Sequence, residues 1–474
     1  MAETVVLGRH EGGRHGWILA AIGLAAFGVL CGMALALGEL QAFYISLSLI
    51  VAIAVLFDFR VGAFLLVLVV PFGATQFFPH NLFGVTGLNP LNLLLVATLA
   101  SYLLRYRVAA LLPKPLLWLY LAPILAAGAL GLQHVQDIAP AFYESLLINY
   151  TDGLGYFREQ VIRPLLIVAA AMLVGAAAAR SQRPERFIVA LMLSLWLIGL
   201  IEIGFIAASG VRLGALASPA ARTFFDALGL HANQLGRLFA VGYALLLFVW
   251  WETKDVGLKS ALFATLCMCV VALVLSFSRS AYLAFLMVSG LFMLWKFNAR
   301  SLSLALLAGG LAAVLMPGYV FRRLTFGFDA DVNTVSADRI DGIWTPLLPE
   351  LWKSPLWGNG IDSIMWSEPM KAGAMLVVGH PHNAYIQTFL DMGIIGLALI
   401  GAYYWHVWKG FRALGSNAYI SPELRGFFQG AAAALLSMFV TGLSGDSLRP
   451  DVQWGPLWVA IGIMYAILAR RPAS

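Results

Sequence analysis

Apolar stretches of about twenty residues recur along almost the whole chain, separated by short polar turns. An α-helix of that length crosses the hydrocarbon core of a bilayer. The pattern predicts an all-α fold, a polytopic transmembrane helical bundle of about 12–14 spans. The fourteen apolar segments lie near 17–37, 40–57, 61–77, 90–104, 115–132, 164–179, 187–208, 235–251, 260–278, 281–296, 301–319, 393–408, 427–443 and 454–469.

The composition agrees with this class. Hydrophobic residues make up 61% of the chain and charged residues only 11%, whereas soluble domains carry roughly 25% charged residues. A large soluble domain is therefore excluded. The net charge of +6 would suggest a nucleic-acid partner in a soluble protein. Here we assign it to loop arginines at the surface of the lipid bilayer and expect no nucleic acid.

The distribution of Lys and Arg predicts the orientation. With the N-terminus in the cytoplasm, more than half of the 30 cations fall in the inner loops, and the outer loops at 38–39 and 78–89 have none. The chain then divides into a cytoplasmic N-terminus (1–16), a transmembrane region (17–319), a long outer loop (320–392), C-terminal transmembrane helices (393–469) and a cytoplasmic tail (470–474). The long loop is rich in Trp and Pro, which predicts short helices at the membrane surface.

The stretch SFSRSAYLAF, residues 276–285, carries the first candidate chemistry. Arg279 stands at a predicted hairpin between two spans, among serines. A guanidinium fork with neighbouring hydroxyl donors suits a phosphate. The alternative is an arginine that anchors a helix end to lipid headgroups.

A second stretch, ARTFFDALGLHANQLGRL at 221–238, places Arg222 and Arg237 on either side of His231 and Asn233. If the helix starts near Asn233, Arg237 lies one turn deeper in the membrane. An isolated arginine there is costly, so Arg237 either snorkels outward or joins a site. Arg222 could instead be solvated.

A third stretch, GHPHNAYIQTFLDMGIIGLALIG at 379–401, precedes the twelfth predicted span. His382 is the candidate proton acceptor, because histidine titrates near neutral pH. His380 and His382 also have a spacing that metal ligands use. No carboxylate or cysteine pattern accompanies them, so we predict no metal.

Within the long loop, SADRIDGIWTPLLPELWKSPLWGNGIDS at 336–363 adds Arg339. Its guanidinium could equally pair with a neighbouring aspartate and be structural. Gly358 and Gly360 permit a tight turn after Pro355.

Four of these motifs together resemble the O-antigen ligase and Wzy-type polymerase family of bacterial envelope enzymes. The matching elements are SRSAYLA, DRIDGIW, SPLWGNGIDS and HNAYIQTFLDMGIIG, in that order around one long outer loop. The resemblance covers residues 220 to 410, and the first 200 residues match only as an array of spans.

The resemblance implies a metal-independent inverting glycosyltransferase of the inner membrane, with no cofactor. It would move a glycan from an undecaprenyl-diphosphate carrier to an acceptor hydroxyl, on a glycan or on lipid A-core, in the periplasm. Proteins of polysaccharide export are candidate partners. The implied site has a catalytic histidine, three candidate diphosphate-binding arginines and four loop contacts: His382; Arg279, Arg222 and Arg237; Arg339, Asn383, His380 and Tyr385. Asp391 stands where family members often carry Glu.

Other functions remain open, among them a non-catalytic scaffold for envelope assembly, which would tolerate loss of His382. A transporter or flippase of a lipid-linked sugar would also use many spans and pocket arginines, but such proteins are commonly built from paired repeats. Here the polar features crowd into the second half of the chain, which favours an enzyme. A protein O-oligosaccharyltransferase is another alternative, and ligase and polymerase are not distinguished.

Overall fold

The structure, a computed structural model, describes residues 28, 32, 40–107, 111–145, 147–148, 150–325, 333, 336–445 and 448–469. The predicted all-α polytopic fold is confirmed. Among the described residues the strands are β1 (Asn81–Leu82) and β2 (Val85–Thr86), which pair antiparallel. The first predicted span, 17–37, lies outside the described residues apart from two glycines, and so do the two predicted terminal segments, 1–16 and 470–474.

The other predicted spans correspond to helices. These are α1 (Leu40–Phe57), α2 (Phe59–Val69), α3 (Pro90–Leu103), α4 (Ala122–Leu132), α5 (Arg163–Ala178), α6 (Phe187–Ser209), α7 (Ala232–Glu252), α8 (Val256–Leu275), α9 (Arg279–Trp295), α10 (Ala299–Leu315), α11 (Ala384–Gly415), α12 (Pro422–Gly442) and α13 (Gly455–Leu468). Helix α4 continues a π-helical turn (Leu116–Leu121), and α5 continues Gly153–Phe157 and a second π turn (Arg158–Ile162).

Six helical segments of the described chain are long and apolar enough to cross a membrane. They are Gly153–Ala178, Pro184–Ser209, Ala232–Glu252, Val256–Leu275, Ala384–Gly415 and Pro422–Gly442. The other apolar helices are shorter. The chain is a multi-pass membrane protein.

The chain divides into two compact units. One lies within Met1–Gly62 and Phe78–Tyr106, and the other within Ala63–Phe77 and Arg107–Ser474. In the first unit α1 packs on α3, and the Arg105 guanidinium donates to the Leu56 carbonyl over 2.7 Å.

In the larger unit α7 is the central helix, in contact with α8, α9 and α12. Glycines on α12 let its backbone approach α7. A Cβ at Gly430 would lie 2.4 Å from the Ala244 carbonyl oxygen, and one at Gly426 would lie 2.5 Å from that of Phe248. Close packing through small residues is typical of helices in a membrane. The rising residue numbers on α12 meet falling ones on α7, so the two helices are antiparallel.

Short elements join the long helices around the site. Before α7 they are a helix (Leu213–Leu216) and a 3-10 segment (Pro219–Leu228). Among the described residues between α10 and α11 they include helices at Gly318–Thr325, Thr345–Leu351 and Glu368–Lys371, a π turn (Ile340–Trp344) and a 3-10 turn (Ser363–Trp366). A further 3-10 turn (Val452–Trp454) leads into α13.

Candidate functional site

The first residues of α7 and α9 lie side by side. The Ser278 hydroxyl, which caps α9, donates to Asn233 Oδ1 over 2.7 Å and accepts from the Ala281 N–H over 3.3 Å. Gly236 permits this approach, because a Cβ there would lie 2.5 Å from Ala281 Cβ. Arg279 is the half-buried first residue of α9. Two helix N-termini and a guanidinium thus share one end of the bundle, a combination that favours anions.

His231 caps α7. Its Nδ1 accepts from the Asn233 N–H over 3.2 Å, while Gln234 Oε1 accepts from the His231 N–H over 3.0 Å. The Gln234 amide also donates to Asp451 Oδ2 over 3.2 Å. The reciprocal arrangement is a capping box, which satisfies two N–H groups of the first turn.

Arg237 is buried, with only 1% of its surface exposed. Its Nη1 donates to Gln453 Oε1 over 3.2 Å, and its Nη2 donates to the Ser444 carbonyl over 2.9 Å. These bonds tie α7 to the turn after α12 and to the 3-10 turn before α13. Hydrogen bonds to protein acceptors therefore offset the cost of burying this guanidinium, which does not depend on snorkelling alone.

Arg222 is the other candidate for the second diphosphate ligand. Arg222 lies in the 3-10 segment before α7, and its side chain is outside what the structure describes.

A third arginine approaches the start of α9, and the sequence interpretation did not single it out. Arg323 is 8% exposed, and its Nε donates to the Phe277 carbonyl over 3.2 Å. Phe277 has φ +50° and directly precedes the serine that caps α9. Arg323 therefore adds positive charge beside the turn that carries Arg279. The only sequence signal was a pair of arginines in the last turn of a short amphipathic helix.

The histidines of the HPHN motif lie against each other. The His380 and His382 rings have centroids 4.2 Å apart in an edge-to-face arrangement, and the His382 N–H donates to His380 Nδ1 over 3.3 Å. His382 has φ +53°, which few side chains adopt. Residues held in such a conformation cluster at functional sites.

Asn383 and Tyr385, which follow the histidines, hold the start of α11. Asn383 caps the helix, with Oδ1 accepting from the N–H groups of Tyr385 (3.0 Å) and Ile386 (3.1 Å). The Tyr385 hydroxyl donates to the Phe439 carbonyl on α12 over 2.7 Å. In this geometry both side chains serve to position the helix start on which His382 sits.

The long loop reaches the same point. Arg339 directly precedes the π turn Ile340–Trp344, and the Trp344 indole donates to the Pro381 carbonyl over 2.7 Å. Thus DRIDGIW and HPHN, about forty residues apart in sequence, are in contact.

The C-terminal end of α12 lies between the arginine and histidine stretches. A Cβ at Gly442 would lie 3.5 Å from the Tyr385 ring, and two residues on, Ser444 accepts from Arg237. The structure therefore brings the starts of α7, α9 and α11 to one end of the bundle.

Helix α11 is broken by Gly393, whose φ of +64° and ψ of −172° belong to a region that glycine alone occupies readily. The loop after Pro355 fills the break. The N–H of Ile394 donates to the Pro355 carbonyl over 2.9 Å, and the Leu390 carbonyl accepts from the Asn359 N–H over 2.9 Å. Backbone groups freed from the helix are thus paired, as they must be within a membrane.

The loop glycines make this docking possible. A Cβ at Gly358, which has φ +76°, would lie 2.3 Å from the Asp391 carbonyl, and one at Gly393 would lie 2.3 Å from the Leu356 carbonyl. A Cβ at Gly360, which has φ +94°, would lie 2.5 Å from the Gly131 backbone on α4. The motifs SPLWGNGIDS and DMGIIG are therefore two halves of one structural unit.

Replacing Gly393 by alanine should lower the free energy of unfolding by at least about 2 kcal/mol, because the strained backbone and the clash with Leu356 act together. Thermal unfolding of the detergent-solubilised chain measures this. Gly401→Ala on the same helix is the matched control, since a Cβ there meets nothing within 4 Å. Equal midpoints for the two variants would contradict the assignment.

A buried polar network extends from the break. Asp391, 1% exposed, accepts from the Ser363 hydroxyl over 3.1 Å and from the Gln387 amide over 2.8 Å. Asp362, 4% exposed, accepts from Arg449 Nη2 over 2.5 Å. Asp391 thus fixes the loop to α11, which gives the carboxylate at this position a structural role.

Arg449 completes the network from the far end of the chain. Its Nη1 donates to the Gln160 carbonyl over 3.1 Å. Burial alone would lower the pKa of the guanidinium, but the carboxylates of Asp362 and Asp391 outweigh it, and the pKa is raised. Removing the arginine would leave the buried carboxylates of Asp362 and Asp391 without a compensating charge. Arg449 is therefore needed to hold the loop in position.

Comparison with known proteins gives one family. Residues 263–401 match the family model described as O-antigen ligase. No curated protein matches the chain. The matched segment contains Arg279, Arg323, Arg339 and His382, whereas Arg237 lies before it.

The match begins within α8 and extends through α9 and α10 to the middle of α11, together with the loop that fills the helix break. It coincides with the motifs on which the sequence resemblance was based. Residues 263–401 of this multi-pass membrane protein are therefore similar to the O-antigen ligase family, a similarity that supports a membrane enzyme of the ligase and polymerase type.

Proposed function

We propose that this chain is a glycosyltransferase of the bacterial inner membrane. It transfers a glycan from an undecaprenyl-diphosphate carrier to an acceptor hydroxyl on the periplasmic side, without a metal ion. The observation that carries the proposal is the gathering of an imidazole, several guanidinium groups and three helix N-termini at one end of the bundle, within and beside a segment that matches the O-antigen ligase family.

The leaving group of this reaction is the carrier diphosphate, which needs compensation for its negative charge. Arg279 projects from the first turn of α9, and Arg323 lies against the preceding residues. Guanidinium groups are permanently charged and bind phosphate through a fork of donors. Preorganised donors aimed at developing charge are commonly the largest contribution to catalysis. Arg279 is the primary diphosphate ligand, and Arg222 and Arg237 are candidates for a second.

His382 acts as the general base. A ring nitrogen takes the proton of the acceptor hydroxyl as that oxygen attacks the anomeric carbon. The bond from the anomeric carbon to the diphosphate oxygen breaks, and its electron pair leaves with the diphosphate. Attack from the face opposite the leaving group inverts the anomeric centre. His380, in edge contact with His382, and Arg339, next to the turn that holds Pro381, would shape the acceptor side.

The charge distribution supports the proposed sidedness. More than half of the 30 Lys and Arg fall in loops assigned to the end opposite the site, among them Lys259, Lys296, Arg300, Arg412 and Arg425. Positive residues favour the cytoplasmic side of a membrane. The end that carries His382 is therefore assigned to the periplasm.

The experiment that tests this function is a deletion strain whose envelope glycans are separated by size. We expect loss of long glycan chains, restored by a plasmid copy of the parent chain. Single repeats attached to lipid A-core would identify a polymerase, and full-length chains that remain on the carrier would identify a ligase. An unchanged glycan profile in the deletion strain would contradict the proposal.

A further inference from the structure

Tryptophans and cations form a second cluster, at the end of the helices opposite the candidate site. Its indoles lie at the ends of α7 and α9 and on α11, and its cations at the starts of α8 and α10 and on α11. We call this group the Trp–Arg cluster; it comprises Trp250, Trp251, Trp295, Trp408, Lys259, Arg300 and Arg412.

Each cation of the cluster lies over an indole ring. The Arg300 guanidinium carbon is 4.9 Å from the Trp251 ring centroid, and that of Arg412 is 5.0 Å from the Trp295 centroid. Arg412 also lies 5.8 Å from the Trp408 centroid. Such contacts hold a flexible cation in place at the surface. The arginines are therefore preorganised rather than freely solvated.

Charge compensation in this region is uneven. Glu252, at the end of α7, pairs with Lys296 over 2.5 Å and with Arg425 over 2.7 Å. Arg300 and Arg412 are exposed, and neither forms an ion pair with a carboxylate of the described residues. Two oriented guanidinium groups thus retain their full positive charge.

Nearby carboxylates are engaged elsewhere. Asp255 caps α8 by accepting from the Leu258 N–H over 2.6 Å, and Glu423 accepts from the Thr253 hydroxyl over 2.8 Å. Within the described part of the chain, neither of these carboxylates forms an ion pair with Arg300 or Arg412. An external anion suits this surface.

Exposed apolar side chains lie beside the charges. Leu294, the last residue but one of α9, is 75% exposed, and Phe297, between α9 and α10, is 72% exposed. Indoles at a helix end are typical of the boundary between headgroups and acyl chains. A ligand with an anionic head and an apolar tail matches both halves of this surface.

We infer that the Trp–Arg cluster is a binding site for an anionic phospholipid. Arg300 and Arg412 bind the phosphodiester through their N–H groups, the indoles fix the depth of the headgroup, and the acyl chains run along Leu294 and Phe297. A guanidinium stacked on a ring keeps its in-plane donors available for a phosphate. This inference does not depend on the proposed glycan transfer.

Native mass spectrometry of the full chain, released from vesicles with equal amounts of phosphatidylglycerol and phosphatidylcholine, tests the site. The parent should retain phosphatidylglycerol in preference to phosphatidylcholine. The preference should fall about fivefold for Arg300→Gln and again about fivefold when Arg412→Gln is added. These arginines are exposed, so thermal unfolding of the variants should match that of the parent.

The matched control is the double variant Arg158→Gln/Arg163→Gln. Both arginines are exposed and pair with Glu159 near the start of α5, so the total charge falls equally. This control should keep the preference. Equal retention of the two lipids by the parent, or an equal loss in the control and in the Arg300/Arg412 variant, would overturn the site.

Discussion

Replacing His382 by asparagine is expected to leave a folded, membrane-inserted chain whose glycan transfer is about 10²–10⁴-fold slower than that of the parent. Asparagine is chosen because it tolerates the positive φ of this position better than alanine does. Its amide cannot accept a proton from the acceptor hydroxyl. The substitution therefore removes the base and keeps the turn.

The assay is complementation of the deletion strain, with glycan chain length and amount measured on gels. His134→Ala is the matched control, since His134 is a partly exposed loop histidine paired with Asp137, and it should complement fully. His382→Gly distinguishes an effect of backbone strain from the loss of the base, because glycine relieves the strain but supplies no imidazole. Normal transfer by either the asparagine or the glycine variant would refute His382 as the base.

Charge reversal at Arg279 should have the second largest effect. Arg279→Glu should weaken binding of undecaprenyl diphosphate to the purified chain by roughly 10- to 100-fold, because a charge-assisted hydrogen bond worth about 1.5–3 kcal/mol is lost. Helix α9 should survive, since an acidic residue in the first turn interacts favourably with the helix dipole. A loss of binding would thus not come from a melted helix.

Arg163→Glu supplies the control for that measurement. Arg163 is exposed, and its side chain pairs with Glu159 rather than with any candidate site residue. We expect this variant to bind undecaprenyl diphosphate like the parent. If Arg279→Glu also bound it like the parent, Arg279 would have no part in holding the diphosphate.

Much of the fold could be predicted from the sequence because one physical requirement dominates it. A span needs a long apolar run, and such runs are visible without any knowledge of contacts. The predicted twelfth span, 393–408, was nevertheless too short, since α11 runs from Ala384 to Gly415. The first part of α11 contains the polar residues Gln387 and Asp391, so its sequence predicts a loop. Both side chains are buried against other protein segments rather than against lipid.

Candidate site residues could be proposed from the sequence where the chemistry is concentrated in a short motif. The motifs SRSAYLA and HNAYIQ indicate Arg279 and His382 as candidates, and the family match includes both residues. Arg323 and Arg449 were missed because their importance lies in partners 46 and 87 residues away. Pairings of that separation leave no periodicity in a single sequence. The helix break at Gly393 was missed for the same reason, because the loop that fills it comes from residues 355–360.

The measurement that tests the account most directly is the accessibility of single cysteines to a membrane-impermeant maleimide in intact cells with a permeabilised outer membrane. Lys371→Cys reports the loop that precedes His382, and Tyr419→Cys, at a position 99% exposed between α11 and α12, reports the opposite end. Both would be made in a chain whose native cysteines are replaced by serine. We predict labelling at 371 and protection at 419 until the inner membrane is opened. Labelling at 419 with protection at 371 would put the imidazole in the cytosol and contradict periplasmic glycan transfer.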